Sequence, residues 1–367
     1  MRDTIDSIIG ELYTPPRDTG LVVGVTEGGR SSVFGYGKKQ VTDNGPPEGD
    51  TLYEIGSVTK VFTTSLLSLL VSQGKLNLDD PVRDIFSTLP GMPQGITLLS
   101  LATHTSGFPK MPPDAIRGAL MNRGNPYLDY TTVKLLRYLK QYRRKPRPDE
   151  EINYSNMGMS LLGLILAEKA GGTYEEAVVD MICNPLSMLD TRITLSPEQE
   201  ERLAIPHTGS GKPSNGWNLP AFAGAGALHS TAEDTLRFLE AHLGRTASPL
   251  MDALRLSHEK QAGEFPIPSR LTRLIPGASK KNLAGSPFTR NIGLGWVIGN
   301  AGGNGLETHW HHGATGGYVS FAGFVKEADA GTVVMMNRGP RFPEMVSGVS
   351  SADEIGFRVL RALCSTD

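Results

Sequence analysis

The chain has 367 residues, 39% of them hydrophobic and 20% charged, with 36 basic against 38 acidic residues and a formal charge of −2. That balance excludes nucleic-acid binding through bulk positive charge, and the length accommodates one large or two interleaved globular units. No run of about 18 apolar residues is present to span a membrane, and Cys183 and Cys364 fit no metal or redox spacing, so both are expected to be free and buried.

In chain order, residues 1–10 read as an amphipathic helix without the apolar core of a signal peptide. A cytoplasmic protein is therefore the expectation, unless a leader has been removed. Leu21 to Thr26 and Ser32 to Gly37 read as two strands joined by a Glu27–Arg30 turn. A polar Gly/Pro stretch, residues 43–50, leads to Tyr53-Glu54-Ile55-Gly56-Ser57-Val58-Thr59-Lys60. Here Gly56 supplies a turn, and Val61, Leu66, Leu67 and Leu70 set a helix running to about Gln73. Three residues apart, Ser57 and Lys60 share a helix face, so the amine is placed to take the hydroxyl proton once burial lowers its pKa. Alone, Ser-x-x-Lys fits an N-capping serine and a surface lysine equally well.

Helical segments follow near 97–103, 115–121, 131–141, 156–170 and 174–182. The basic cluster Arg143–Arg147 falls between two of them and reads as a solvated loop. Asn153-Tyr154-Ser155-Asn156 opens the apolar 156–170 segment. Tyr154 can serve as an acid or base if a cation such as Lys60 lowers its pKa, and Asn156 offers both a donor and an acceptor. Equally, Tyr154 can simply end a loop that Ser155 or Asn156 caps. Residues 207–226 have the composition of a structured loop, and a helix over 232–242 follows. Strands are expected over 292–298, 306–311, 318–324 and 332–337, with a helix over 344–363.

His309-Trp310-His311-His312-Gly313-Ala314 is a strand turning glycine-rich, which lets substrate lie against its backbone and an N–H face an oxyanion. No carboxylate or cysteine accompanies the three histidines at metal spacing, so neither a metal nor a cofactor is expected. Gly209-Ser210-Gly211-Lys212 lacks the spacing of a phosphate loop, Gly224-Ala225-Gly226 lacks a third glycine, and no Gly-x-Ser-x-Gly surrounds Ser57.

Three elements in this order resemble the serine β-lactamase and penicillin-binding-protein superfamily. The branch is that of class C β-lactamases, with family VIII carboxylesterases, D-aminopeptidases, DD-carboxypeptidases and certain acyltransferases. Leu76 to Val82, Leu101 to Gly107 and Ala225 to Asp234 resemble the same branch. The resemblance implies an α/β (α+β) fold of the β-lactamase/DD-peptidase type: an antiparallel sheet built from both chain termini (1–50 and 285–367), flanked by helices. A helical domain, 51–284, is inserted, and the active site lies at the interface. It implies Ser57 as nucleophile, Lys60 as the group that helps deprotonate it, and Tyr154 as general base and later acid. Asn156 would orient substrate, His311 and Gly313 would line the pocket, and the N–H groups of Ser57 and Ala314 would form the oxyanion hole.

The sequence departs from class C β-lactamases at His311-His312-Gly313, where those enzymes carry Lys-Thr-Gly. An imidazole of ordinary pKa, about 6.5, removes a fixed positive charge at pH 7 and regains part of it near pH 6. Arg338 and Arg341 are the alternative sources of that charge. The expected function is a serine hydrolase forming an acyl-enzyme on small-molecule ester, amide or peptide substrates, esterase-like, with neither nucleic acid nor membrane as partner. The alternatives are a β-lactamase or D-peptidase, an acyltransferase using the same acyl-enzyme, and a non-catalytic binding protein.

Overall fold

Seven strands form one fully antiparallel sheet, in the spatial order 30–37, 20–27, 330–336, 319–325, 308–314, 297–299 and 290–292. The computed structural model describes residues 1–14, 18–39, 45–122, 124–143, 152–246, 250–263, 290–300, 305–341, 344 and 349–365. The sheet strands are β1 (Gly20–Glu27), β2 (Arg30–Gly37), β5 (Arg290–Ile292), β6 (Val297–Gly299), β7 (Thr308–Ala314), β8 (Val319–Val325) and β9 (Ala330–Met336). A separate two-stranded ladder pairs β3 (Tyr53–Glu54) with β4 (His229–Ser230). The helices are α1 (Arg2–Leu12), α2 (Thr59–Ser72), α3 (Val82–Ile85), α4 (Leu98–Ala102), α5 (Pro113–Met121), α6 (Thr132–Gln141) and α7 (Asn156–Ala170). They continue with α8 (Tyr174–Val178), α9 (Pro197–Glu201), α10 (Ala223–Gly226), α11 (Ala232–His242), α12 (Leu250–Leu256) and α13 (Ser351–Leu363).

The two chain ends meet where β1 pairs with β9, Leu21 opposite Met336. The sheet built from both termini is therefore as expected. Side chains alternate across it. Leu21, Val23 and Val25 pack with Ile5, Ile8 and Ile9 of α1 and Ile355 and Val359 of α13, whereas Val22, Val333 and Met335 face a second core that includes α2 and α11. An isolated helix of 11 residues is marginal; three buried isoleucines, at about 2 kcal/mol each, are what hold α1 in place.

Helix α2 is buried on every side from Thr59 to Leu70. Its polar residues survive there by bonding back into the helix: Ser65 Oγ donates to the Val61 carbonyl at 2.7 Å and Ser68 Oγ to that of Thr64 at 3.0 Å. Both cysteines are buried thiols outside any disulfide. Among the described residues no helix is long and apolar enough to cross a membrane, and no cluster of His, Cys, Asp or Glu is arranged to hold a metal.

Two expected elements are corrected. Ile292 to Ile298 is a hairpin, not one strand: the Gly293 N–H donates to the Trp296 carbonyl at 2.9 Å, and β5 pairs with β6. The last helix begins at Ser351, where the Ser350 hydroxyl and Asp353 carboxylate form a capping box, and residues 345–348 of the expected helix lie outside the described residues. Residues 144–147 of the basic cluster and the expected domain boundary at 285 lie outside the described residues.

Glu344 instead gathers the two arginines past β9. Arg338, 1% exposed, pairs with it at 3.3 Å, and Arg341 at 3.0 Å. Burial alone would raise the Glu344 pKa; hydrogen bonds from the Ser351 hydroxyl, the Arg341 N–H and the Arg338 guanidinium win and lower it to about 2. Its stabilisation is thus complete above the ordinary carboxylate pKa, about 4.3, and is lost as pH falls through about 2. Glu344→Ala should destabilise by about 3 kcal/mol at pH 7, since it strands a buried guanidinium. Urea unfolding checks this, and an unchanged midpoint would show the pair contributes nothing.

Candidate active site

Ile55 leads out of β3 into a 3₁₀ turn, Gly56–Val58, that runs directly into α2. The turn works because Gly56 takes φ +48°, a left-handed conformation, and has no Cβ; one built there would lie 2.8 Å from the Ala314 nitrogen. Strand β7 presses in from the other side. A Cβ on Gly313 would meet the Ile55 carbonyl oxygen at 2.0 Å and the Ser57 nitrogen at 2.9 Å. Two glycines therefore bring the backbone nitrogens of Ser57 and Ala314 together at the edge of one cavity. Ser57 and Ala314 line that cavity, whereas Gly313 sets the approach of the strand and is not part of the lining.

Ser57 Oγ receives two side chains, Lys60 Nζ at 2.8 Å and Tyr154 OH at 2.8 Å. Lys60 is fully buried, and its Nζ donates to the Ala225 carbonyl at 2.6 Å while lying 4.9 Å from the centre of the Tyr154 ring. Burial, with Lys110 adding repulsion, holds its pKa well below the usual lysine value. A neutral amine can donate one N–H to Ala225 and keep its lone pair for the serine proton. The Ala225 carbonyl is held there because Thr63 Oγ1 donates to the neighbouring Gly224 carbonyl at 2.7 Å.

Tyr154 differs from expectation. Burial raises its pKa and outweighs the lowering effect of the Ser57 hydrogen bond, so the phenol keeps its proton despite the nearby lysine. His104 backs the ring at 4.6 Å between centroids. Burial, with repulsion from Lys60, lowers the His104 pKa to about 3, and its Nδ1 accepts the Ser155 N–H at 3.2 Å. Ser155 caps α7, its hydroxyl accepting the Gly158 N–H at 2.9 Å and donating to the Pro109 carbonyl at 2.7 Å. Both alternatives at this segment are realised at once: Ser155 caps the helix, and Tyr154 reaches the serine.

Asn156 begins α7 and lines the cavity; its Nδ2 donates to Met111 Sδ at 3.5 Å, and its buried Oδ1 has no hydrogen-bond partner. His311 lines the cavity 6.4 Å from the Tyr154 ring, with Nδ1 at 2.7 Å from the His312 carbonyl. The expected protonation of His311 near pH 6 is corrected. It is 4% exposed, and burial first and Lys60 second hold its pKa well below 6.5, so it stays neutral there. Arg338 and Arg341 do not replace the charge either, being committed to Glu344.

The cavity, about 550 Å³, includes groups that carried no signal in the sequence. One wall is aromatic: Tyr127 meets Trp217 and Phe222 edge-to-face at 5.4 and 5.7 Å. Glu54 fastens that wall, its buried Oε1 accepting the Trp217 N–H at 2.7 Å. Burial pushes the Glu54 carboxyl up to about 7 against the opposing pull of the Thr315 hydroxyl and that N–H. Lys110 supplies an exposed ammonium on the lining, and among the described residues no carboxylate lines the cavity.

The protein-family model described as Beta-lactamase matches residues 6–354. The chain belongs to the beta-lactamase family. It is 29% identical over 360 residues to the D-alanyl-D-alanine-carboxypeptidase/endopeptidase AmpH of Escherichia coli K12, covering 95% of this chain and 87% of that protein. Among solved structures, a class C beta-lactamase superposes with a TM-score of 0.78 at 22% identity, covering 100% and 97% of the two chains. The D-alanine carboxypeptidase AmpC of Burkholderia cenocepacia does so with 0.75 at 25% identity, over 98% of each. As a member of the beta-lactamase family the protein is a serine hydrolase that works through an acyl-enzyme, with the antiparallel-sheet fold of the class C enzymes.

Proposed function

We propose that Ser57 is the nucleophile, that neutral Lys60 is its base and Tyr154 its proton relay, and that the substrates are esters or amides with an apolar or aromatic acyl group. The observation that carries this is Ser57 Oγ at 2.8 Å from both Lys60 Nζ and Tyr154 OH. In the first step the Ser57 proton passes to Lys60 Nζ as Oγ bonds to the acyl carbon. The resulting oxyanion faces the N–H groups of Ser57 and Ala314. The intermediate collapses by breaking the bond to the leaving group, which takes its proton from Tyr154 OH, and Lys60 returns one to Tyr154. Water then attacks the acyl-enzyme along the same relay in reverse. Asn156 lines the cavity, and its Oδ1, without a partner among the described residues, can accept a substrate N–H once the amide turns toward the cavity; the Tyr127–Trp217–Phe222 wall suits a flat or branched acyl group.

A second reading, a peptidase or β-lactamase acting on carboxylate-bearing substrates, is favoured by one observation. Lys110 sits on the cavity lining with no acidic partner among the described residues. It is a cation in the place of the one His311 does not provide. The two readings separate on a panel of p-nitrophenyl esters, nitrocefin and D-amino-acid p-nitroanilides, run with wild type and Lys110→Ala. Uncharged esters should have the higher kcat/KM, and the variant should lose about fivefold on nitrocefin alone, the worth of one partly exposed charge near 1 kcal/mol. Nitrocefin turnover that is unchanged between pH 7.5 and 6 is also expected of a neutral His311. Efficient nitrocefin hydrolysis, indifferent to Lys110, would overturn the ester assignment.

A further inference from the structure

Between Lys110 and Arg147 the sequence holds ten of the 36 basic residues and only two of the 38 acidic ones. The chain as a whole is slightly negative, so this segment is a strongly positive island on an otherwise acidic protein. Arg117 on α5 and Arg137 and Lys140 on α6 are exposed and have no ion-pair partner among the described residues. The same segment carries Ile116, Leu120, Met121, Leu128 and Val133, exposed by 48, 68, 86, 46 and 64%. Only two other large hydrophobic side chains, Met1 and Leu189, are as exposed among the described residues. In α5 a single residue, Ala115, is buried, so packing against the protein does not account for the apolar side chains of that helix.

Exposed aliphatic residues beside unpaired Lys and Arg are the composition of a surface that lies in a lipid headgroup region, where the first enter the acyl boundary and the second meet phosphates. A nucleic acid would reward the charges but not the aliphatic groups; a purely hydrophobic protein partner would reward the reverse. The segment is also one with the active site: Lys110, Met111 and Tyr127 line the cavity, and the Tyr130 hydroxyl ties the approach to α6 to Asp114 of α5 at 3.0 Å. We propose that the α5–α6 segment docks the protein on a bilayer rich in anionic phospholipid, with the cavity beside the docked face. The docking itself does not depend on the chemistry assigned to Ser57; only its consequence, access of the cavity to acyl groups at the membrane surface, rests on that reading.

The test is co-sedimentation of the full-length protein with vesicles of phosphatidylcholine, with and without about one quarter phosphatidylglycerol. Binding should require the anionic lipid and weaken with salt. Arg137→Glu with Lys140→Glu should reduce partitioning at least ~10-fold, and Leu120→Ser with Met121→Ser at least ~5-fold. Both pairs should keep the wild-type thermal transition and the wild-type rate on a soluble p-nitrophenyl ester. No enrichment on anionic vesicles at low salt would overturn the proposal. So would charge-reversal loss with no effect of the serine pair, which indicates simple electrostatic adsorption, or tighter binding to duplex DNA than to vesicles. A change of oligomeric state on gel filtration in the serine pair would also overturn it, by making the face a contact between copies.

Discussion

Ser57→Ala should leave the fold intact and lower kcat/KM by at least ~10³-fold, because among the described residues Ser57 is the hydroxyl that Lys60 Nζ reaches, as the proposed mechanism requires of the nucleophile. Ser155 is the neighbouring candidate by sequence, but it is fully buried with its hydroxyl engaged as the α7 cap. Removing Ser57 Oγ costs two hydrogen bonds that serve the site and not the core. Near-normal turnover by the purified variant, with an unchanged thermal transition, would remove the mechanism altogether.

The second large effect is a coupling. Lys60→Ala and Tyr154→Phe should each reduce turnover by about 10² to 10⁴, the usual worth of a positioned general acid or base. On the proposed mechanism both groups hand the same proton to and from Ser57, so the double variant should fall far short of the product of the two losses. Burial favours the neutral amine with a protonated phenol over an ammonium–phenolate pair. A cycle in which the two losses simply multiply would mean two independent roles and no relay.

The meeting of Ser57, Lys60 and Tyr154 could be anticipated because they lie at the starts of two helices, α2 and α7, that are apolar nearly all round and therefore buried. The strand character of residues 308–314 and 319–325 was legible from their β-branched and aromatic content, although both are buried along nearly their whole length. The sequence did not reveal what completes the site from irregular segments. Ala225 acts through its carbonyl, a group every residue has, and the short Gly-Ala-Gly stretch around it signals only flexibility. Trp217 sits in a Gly/Pro/Ser/Asn-rich loop, and its place on the wall depends on Glu54, 163 residues away. The ionisation of His311 and Tyr154 depends on burial, which is a property of packing and not of spacing. The hairpin at 290–299 was missed because an apolar run with two glycines fits one strand or two, and only the contact of Leu294 N–H with the Ser257 carbonyl decides it.

The central claim is that one serine is made reactive by Lys60 and Tyr154. Incubation of the native protein with a fluorophosphonate, followed by intact-mass measurement and peptide mapping, tests it most directly. The account predicts a single adduct, on the peptide containing Ser57, formed rapidly in wild type and slowed by about 10² or more in Lys60→Ala. An adduct on any other residue, or a native protein that remains unlabelled while properly folded, would contradict it.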